Sequence, residues 1–392
     1  MNDDTIDRQR RHLLQCGFIG LGAFLGNVLL PSPLRAAPLS GLLTAQGALL
    51  PPDSNGVRLP AGFTSRIVAR SGQKLFGYAW HAAPDGGAVF AAPDGGWVYV
   101  SNSEIDNRGG GAGAIRFDAR GGIADAYSVL EQTDRNCAGG ATPWQTWLSC
   151  EEVDKGRVWE CDPFGEKAAR LRSALGIFRH EAVAVDTLNK QLYLTEDESD
   201  GCLYRYTARS FDADGNPDLD DGFLEVMEVV DGRVGTVRWH ALPDPLAEKA
   251  PMRKQVAGSV RFKGGEGIWY QRGIVYFTTK GDNRVWAYDV ARQHLGVVYN
   301  AALHVAPVLT GVDNITANAA GELLVAEDGG DMQIVVLSGG KVLPLLQVVG
   351  HDRSEITGPA FSPDGSRLYF SSQRGPTGRS EDGVMFEITG PF

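Results

Sequence analysis

One unit recurs along the chain: a turn, a short β-rich strand ending in polar or acidic residues, a loop, and a second strand. Six segments carry it, at residues 95–118, 145–162, 189–206, 272–289, 320–337 and 364–388. Repetition at intervals of roughly 40 to 80 residues, with a few strands in each unit, is typical of a β-propeller. The repeat therefore predicts an all-β chain folded as a β-propeller, with six blades as the expected number. A β-sandwich or a set of separate β domains is the alternative.

Composition favours short strands joined by tight turns. The chain of 392 residues contains 50 glycines and 20 prolines, and Pro-Asp-Gly recurs at residues 84–86, 93–95 and 363–365. Each of these tripeptides is a strong turn former, and long helical patterns are nearly absent. All-β proteins of this length often form one domain. We therefore expect a single propeller domain over residues 38–392.

The N-terminal residues have the form of an export signal. Arg10 and Arg11 precede a moderately apolar, glycine-rich run over residues 17–30, and small residues at 36–37 provide a cleavage site. We predict a twin-arginine signal peptide over residues 1–37, which the twin-arginine translocation machinery recognises. The mature protein is then periplasmic or secreted, with no stable membrane association after cleavage. A Sec signal or a membrane anchor is the alternative.

The net charge restricts the classes of partner. A formal charge of −11 argues against nucleic acid and against an anionic membrane surface, because neither finds a basic patch on which to dock. An acidic protein that binds an anionic substrate needs bound cations to do so.

Acidic and polar side chains follow the first strand of each repeat. They are Asn102/Glu104, Glu151/Glu152, Glu196/Asp197, Thr278/Lys280, Glu327/Asp328 and Ser372/Gln373. Equivalent positions in a propeller share one radius and one height, so these side chains are expected to ring the central channel. Carboxylates crowded around one axis repel each other unless cations neutralise them. The pattern predicts metal binding at the channel mouth; the alternative is that the acids lie on outer loops in water.

The segment 136–152, NCAGGATPWQTWLSCEE, sharpens the metal hypothesis. It combines the thiol of Cys137 with the adjacent carboxylates of Glu151 and Glu152. Soft thiolate and hard carboxylate ligands together suit a redox-type metal such as iron. Glu181, Glu266 and Asp313 each stand in a short turn before a β segment, and carboxylates of this kind suit calcium.

Two further cysteines suggest a disulfide. A hairpin turning at residues 155–156 would place Cys150 opposite Cys161, close enough to bridge. An oxidising destination favours that bond.

The chain resembles the PhoX-type alkaline phosphatases and their shorter relatives. The resemblance covers most of residues 85–375 and rests on NCAGGATPWQTWLSCEE, RHEAVAVD, GGEGIWY, VDNI and LLVAEDGG, in that order. It implies a twin-arginine-exported six-bladed propeller with iron and calcium ions at the channel mouth, where they hold a phosphoester. It also implies roles for individual residues: Cys137, Glu151 or Glu152, Glu181 and Glu266 as metal ligands, and Asp313 and Glu327 as outer calcium ligands.

From the resemblance we predict a metal-dependent phosphoesterase acting on phosphate esters in the periplasm. Cys137, Glu181 and Glu266 are the expected catalytic residues, and Asn102 and Lys280 the expected substrate contacts. The chain departs from the family at Gly264, where the family has an arginine that would pair with phosphate. Lys263 or Lys280 is the expected replacement for that charge.

Two other functions stay open on the sequence alone. One is a calcium-dependent lactonase or esterase, in which Asp313, Asn314 and Glu266 hold a single calcium ion. The other is a propeller that binds metal without catalysis.

Overall fold

A computed structural model of the protein describes residues 43–230 and 232–392. The predicted signal peptide over residues 1–37 lies outside the described residues. Within the described ranges, no helix is long and apolar enough to cross a membrane.

The described residues form 28 strands and six short 3₁₀ helices. The N-terminal strands are β1 (Val57–Arg58), β2 (Thr64–Arg70), β3 (Lys74–Leu75) and β4 (Tyr78–Ala79). The first two repeats form β5 (Pro84–Ala91), β6 (Trp97–Ser103), β7 (Gly110–Phe117), β8 (Ile123–Thr133), β9 (Asn136–Ala141), β10 (Trp147–Glu151), β11 (Val158–Cys161) and β12 (Arg170–Leu171). The third and fourth repeats form β13 (His180–Asp186), β14 (Gln191–Glu196), β15 (Leu203–Ala208), β16 (Gly222–Val229), β17 (Gly235–Ala241), β18 (Gly265–Gln271), β19 (Ile274–Thr279), β20 (Arg284–Asp289) and β21 (His294–Asn300). The last two form β22 (Val312–Ala317), β23 (Leu323–Glu327), β24 (Gln333–Ser338), β25 (Lys341–Val348), β26 (Ile356–Phe361), β27 (Arg367–Ser372) and β28 (Val384–Thr389). The 3₁₀ helices are Leu43–Ala45, Ser173–Leu175, Met252–Lys254, Lys280–Asp282, Ala301–Leu303 and Ser380–Asp382.

The strands pair antiparallel with their neighbours in sequence, so that each repeat folds as a meander. The innermost strands β5, β9, β13, β18, β22 and β26 contact one another in turn, and β26 contacts β5 to close a ring. The N-terminal strand β2 pairs with the last strand, β28, and so joins the two ends of the chain in one sheet. The prediction of an all-β propeller is confirmed. The number of blades stays a prediction, because β13–β21 form one continuous nine-stranded sheet across two repeats.

The core lies between neighbouring sheets. Every residue of β6 is buried, and so is every residue of β23. Strands covered on both faces need apolar side chains in near-continuous runs, which is why these segments are rich in valine, leucine and tyrosine. Buried tyrosines also satisfy their hydroxyl groups: Tyr99 donates to the carbonyl of Gly358, 2.9 Å away in another repeat. The packing thus holds the ring of innermost strands at a fixed spacing.

The expected disulfide between Cys150 and Cys161 is wrong. The register of β10 and β11 places Cys161 opposite Trp147, and Cys150 opposite Val158. Trp147 and Cys150 are three residues apart on one strand and therefore point to opposite faces of the sheet. The two thiols are buried in different hydrophobic clusters, and all four described cysteines are free.

Candidate metal centre

A β-bulge lies at the start of each innermost strand. A bulge breaks the alternation of side chains and re-aims one of them, which is why bulges are common beside active sites. In five of these strands the residue just after the first paired position carries a carboxylate or a thiol. These residues are Asp85, Cys137, Glu181, Glu266 and Asp313.

Small residues next to these side chains let the neighbouring innermost strands approach closely, and this narrows the channel. A Cβ atom on Gly86 would lie 2.5 Å from the Cα of Ala138, and one on Gly267 would lie 2.7 Å from the Cα of Asn314. Neighbouring innermost strands therefore approach at backbone distance, and a cavity of only ≈ 50 Å³ remains between them. The channel is therefore nearly filled between these strands, and the side chains at the bulges lie at one mouth of it.

Three groups of potential ligand atoms lie at this mouth, with all atoms of a group within 4.8 Å of one another. The first group is Cys137, Glu152 and Glu181; the second is Glu181, Glu266 and Asp313; the third is Asp313, Asp328 and Glu355. Glu181 belongs to the first two groups and Asp313 to the last two. The groups therefore form one continuous string, which we call the ligand string.

Hydrogen bonding within the protein leaves part of the ligand string unsatisfied. The Cys137 Sγ atom lies 3.3 Å from Glu181 Oε1 and 3.5 Å from Asp85 Oδ2. The other oxygen of Glu181, Oε2, is buried and has no hydrogen-bond partner among the described residues. An unpartnered buried carboxylate oxygen is costly, and such groups in native proteins usually bind a water molecule or an ion. This oxygen fits a metal ligand.

Burial and mutual repulsion perturb the acids of the site in the same direction. Burial, followed by the charges of Glu266 and Glu152, raises the pKa of Glu181 well above its ordinary value. The same two causes raise the pKa values of four further acids. Burial is the largest cause and neighbouring carboxylates add to it at Asp85, Glu266, Asp313 and Glu355. The pKa of the Cys137 thiol is raised by burial and by Asp85 and Glu181. Bound cations reverse this effect, because they favour the charged forms.

Basic side chains surround the ligand string at the mouth. Lys280 Nζ lies 3.1 Å from Glu266 Oε1 and 3.3 Å from Asp328 Oδ2. Arg374 contacts Glu355 at 2.7 Å. On the other side of the mouth, Glu104 and Glu152 share Arg135, and Glu152 also lies 3.4 Å from Arg179. The carboxylates outnumber these cations, so the protein's own basic groups do not neutralise the site.

The structure brings together five of the predicted metal ligands: Cys137, Glu152, Glu181, Glu266 and Asp313. Lys280, the predicted substrate contact, lies against the same string. Asn102 does not face it. Its amide donates to the carbonyls of Cys137 and Ala138, and its oxygen accepts from Trp147 and Ser149. Asn102 therefore holds the strand that carries Cys137.

Glu151 and Glu327 lie outside the ligand string. Glu151 Oε1 accepts a hydrogen bond from the backbone N–H of Asp134 at 3.1 Å. Glu327 accepts from the backbone N–H groups of Thr310 and Gln333 at 2.9 and 3.0 Å. Successive residues at the end of a strand point in opposite directions. The first acid of each pair therefore binds backbone groups, and the second, Glu152 or Asp328, reaches the channel.

We expect Glu327→Ala to destabilise the protein without changing its metal content. The substitution leaves the buried N–H of Gln333 and the partly buried N–H of Thr310 without an acceptor, and a buried unpaired group costs about 1–3 kcal/mol. Thermal unfolding should show a lower Tm, while elemental analysis gives the wild-type metal content. Loss of metal from this variant, with Tm unchanged, would contradict the assignment.

Sequence reasoning missed Asp85 and Glu355, and it named Asp328 only as part of the predicted ring. Pro84-Asp85-Gly86 is not a free turn but the start of β5, where Asp85 occupies the same bulge position as Cys137. The sequence does contain a signal that identifies Asp85. An acid or a thiol followed by a small residue recurs at the start of the innermost strands, as in Asp85-Gly86 and Cys137-Ala138.

At Gly264, where the resemblance implied an arginine, the backbone favours glycine. Its φ of +66° is a left-handed conformation that glycine adopts without strain. A Cβ atom there would also lie 3.0 Å from Asp197 Oδ1. An arginine at this position would therefore meet backbone strain and would require the Asp197 side chain to shift slightly, and the nearby positive charge comes instead from Lys280.

Known proteins place this architecture in a family. The family model for alkaline phosphatase PhoX matches residues 81–304. No curated protein sequence gives a significant match. Among solved structures, Pseudomonas fluorescens PhoX in complex with vanadate, a transition state analogue, is similar at a TM-score of 0.71 and 17% identity, covering 88% of this chain and 97% of that one. A gluconolactonase from Xanthomonas campestris is similar at a TM-score of 0.50 and 15% identity, covering 88% and 98% of the two chains.

A Bacteroides thetaiotaomicron protein of unknown function has a TM-score of 0.53 at 9% identity, covering 87% of this chain and 83% of that one. At such identities the structural matches establish the β-propeller fold. The family model covers more than half of the chain and includes the segments that carry Cys137, Glu152, Glu181 and Glu266. The chain therefore belongs to the alkaline phosphatase PhoX family of metal-dependent phosphoesterases.

Proposed function

We propose that this protein hydrolyses phosphate esters at the mouth of the propeller channel, with metal ions held by the ligand string. The observation that carries the proposal is the convergence of Cys137 with carboxylates from other repeats into three groups that share Glu181 and Asp313. Such an arrangement has enough ligands for several cations side by side. Several cations side by side suit a doubly charged phosphate group.

The donor atoms suggest which ions bind where. The Cys137 group mixes a thiolate with carboxylates, and this set favours iron. The two remaining groups offer only carboxylate oxygens, which favour calcium. Bound cations would supply positive charge where the transition state of phosphoryl transfer gathers negative charge.

The chain's own residues orient the substrate. The side chain of Lys280 is 37% exposed, and its ammonium group lies between Glu266 and Asp328, so it can donate to a phosphate oxygen from the edge of the ligand string. An ammonium group binds phosphate as a point charge rather than as a bidentate fork. Arg135, Arg179 and Arg374 line the rim and attract an anion that approaches the acidic cluster.

The calcium-dependent lactonase is less well supported. It requires Asn314 as a metal ligand beside Asp313 and Glu266. Asn314 Oδ1 accepts a hydrogen bond from the backbone N–H of Gly358 at 2.7 Å, and its amide donates to Asp313 Oδ1 at 2.8 Å. The side chain thus joins two innermost strands instead of offering its oxygen to an ion.

Export completes the proposal. The paired arginines at positions 10 and 11 support translocation of the folded protein by the twin-arginine machinery. We place the active enzyme in the periplasm or outside the cell, without a stable membrane anchor after cleavage. Export in the folded state allows metal to bind before translocation.

Metal analysis and turnover test this function together. The protein, purified folded from an exporting host, should contain iron and calcium and should hydrolyse 4-nitrophenyl phosphate. A chelator should abolish turnover, since the ligand string then loses its cations. Calcium alone together with hydrolysis of a lactone would support the lactonase instead. Bound metal without turnover of any phosphate ester would contradict catalysis.

A further inference from the structure

A cavity of ≈ 380 Å³ lies beside the metal centre, between three segments of the chain. Its walls come from residues 154–155, 177–178 and 247–253, with Glu198 at one side. The last of these belongs to the long connection between β17 and β18, a segment outside the repeat. The volume falls within the range of small-molecule sites, about 300–1,000 Å³. It exceeds what a phosphate group alone would fill.

The cavity adjoins the ligand string through Arg179. This side chain contacts Glu152 of the string at 3.4 Å, and on its other side it lies 3.2 Å from Asp154 and 3.8 Å from Glu198, which both line the cavity. The cavity and the ligand string are also close along the chain, because Ile177 lines the cavity and Glu181 belongs to the string. Four residue steps span at most about 14 Å, so a group bound in the cavity can be part of a molecule whose phosphate reaches the metals.

The far wall of the cavity is preorganised. Gln255 donates to the carbonyls of Asp244 and Ala250 at 2.8 and 3.0 Å, and it accepts from the backbone N–H of Asp244. Arg253 pairs with Glu198 at 3.2 Å and with Glu196 and Asp200 at 3.0 Å each. These contacts fix the segment 244–255 against the propeller. A preformed wall reduces the ordering cost of binding.

The lining suits an organic group rather than a second phosphate. Ile177, Ala250 and Pro251 contribute apolar surface over the buried Phe178 and Met252, and half of the lining residues are charged: Asp154, Lys155, Glu198, Glu248, Lys249 and Arg253. The two acids nearest the metal centre, Asp154 and Glu198, are paired with arginines. Three acids and three bases balance each other in this lining, so it offers no net positive charge to a phosphate, and the volume and the apolar part of the cavity favour the organic body of an ester.

We propose that this cavity is the leaving-group subsite, which binds the organic part of the phosphate ester and selects esters of aromatic, bicyclic size over small alkyl esters. This inference rests on the proposed phosphoesterase function. Binding energy from a part of the substrate remote from the reacting phosphate then raises kcat/KM.

Filling the cavity from two walls tests the subsite. Ala250→Trp and Ile177→Trp each place an indole in it, and Ala302→Trp, at an exposed alanine outside the cavity, is the matched control. The probes are 1-naphthyl phosphate and methyl phosphate, with inorganic phosphate as inhibitor. We expect each cavity variant to lower kcat/KM for 1-naphthyl phosphate about tenfold or more, with kcat/KM for methyl phosphate and inhibition by phosphate within about twofold of wild type.

The outcomes separate the two proposals. Equal losses on both esters in a variant with wild-type Tm and metal content, or no loss on 1-naphthyl phosphate, would overturn the subsite while leaving the phosphoesterase function intact. Failure of the wild-type, metal-loaded protein to hydrolyse either ester would overturn both. Because the cavity is filled independently from Ala250 and from Ile177, misfolding of one variant still leaves the other as a test.

Discussion

Glu181→Ala is expected to reduce kcat/KM for phosphate esters by about 10³-fold or more and to lower the metal content of the protein. Glu181 is the residue on which two of the three ligand groups depend, it is 1% exposed, and one of its oxygens has no partner within the protein. Among the described residues, Glu181 is the one carboxylate that shares a ligand group with Cys137 and another with Glu266. Elemental analysis and steady-state kinetics measure the two effects.

Glu196→Gln is the matched control for this experiment. Glu196 is as deeply buried as Glu181, but it accepts hydrogen bonds from the backbone N–H of Cys202 and from the Tyr204 hydroxyl, outside the ligand string. Glu196→Gln should keep its metals and have a lower Tm than wild type.

Glu181→Gln should have the opposite effect on stability. Without metal it should unfold at a higher temperature than metal-free wild type, because one carboxylate is gone from a crowded cluster. Full metal content and full activity in Glu181→Ala would contradict the assignment of Glu181.

Removing the metals is expected to make the stability of the protein strongly dependent on pH. In the metal-free protein, burial and like charges raise the pKa values of Asp85, Glu181, Glu266, Asp313 and Glu355 well above their ordinary values. The unfolded chain titrates these carboxyls near pH 4. Above that pH the folded state binds more protons than the unfolded state, so the free energy of unfolding falls as pH rises through the folded-state pKa values.

The direction in which stability changes with pH distinguishes these buried acids from ordinary acids on the surface. Asp94 and Asp118, whose pKa values are lowered chiefly by hydrogen bonds from backbone N–H groups, stabilise the fold at neutral pH and lose that effect on acidification. We therefore expect chelator-treated protein to show a Tm higher at pH 5.5 than at pH 8 by roughly 5 °C or more, and metal-loaded protein to show a much smaller difference. Thermal unfolding over this range, with and without chelator, measures both. A Tm of the metal-free protein that rises with pH would contradict a cluster held together by cations.

Much of the fold and part of the site follow from the sequence. The repeated strand units predict the propeller because each unit needs its neighbours to cover both faces of its sheet. The motifs around Cys137, Glu181, Glu266 and Asp313 predict a metal centre because thiolate and carboxylate groups in equivalent positions of a propeller converge on one axis. The expected disulfide fails for a local reason: the hairpin register, which sets the face of each thiol, depends on the length of the turn, and the sequence does not specify it.

The sequence by itself determined the repeat, the propeller and most of the residues that bear the chemistry. Tertiary structure alone decided which acid of each pair reaches the channel, Glu152 rather than Glu151 and Asp328 rather than Glu327. It also brought Asp85 and Glu355 to the same mouth from opposite ends of the chain, and placed a cavity beside Arg179. The physical reason is that adjacent residues at a strand end point in opposite directions, that the bulge at the start of each innermost strand re-aims one side chain, and that closure of the ring joins strands far apart in sequence.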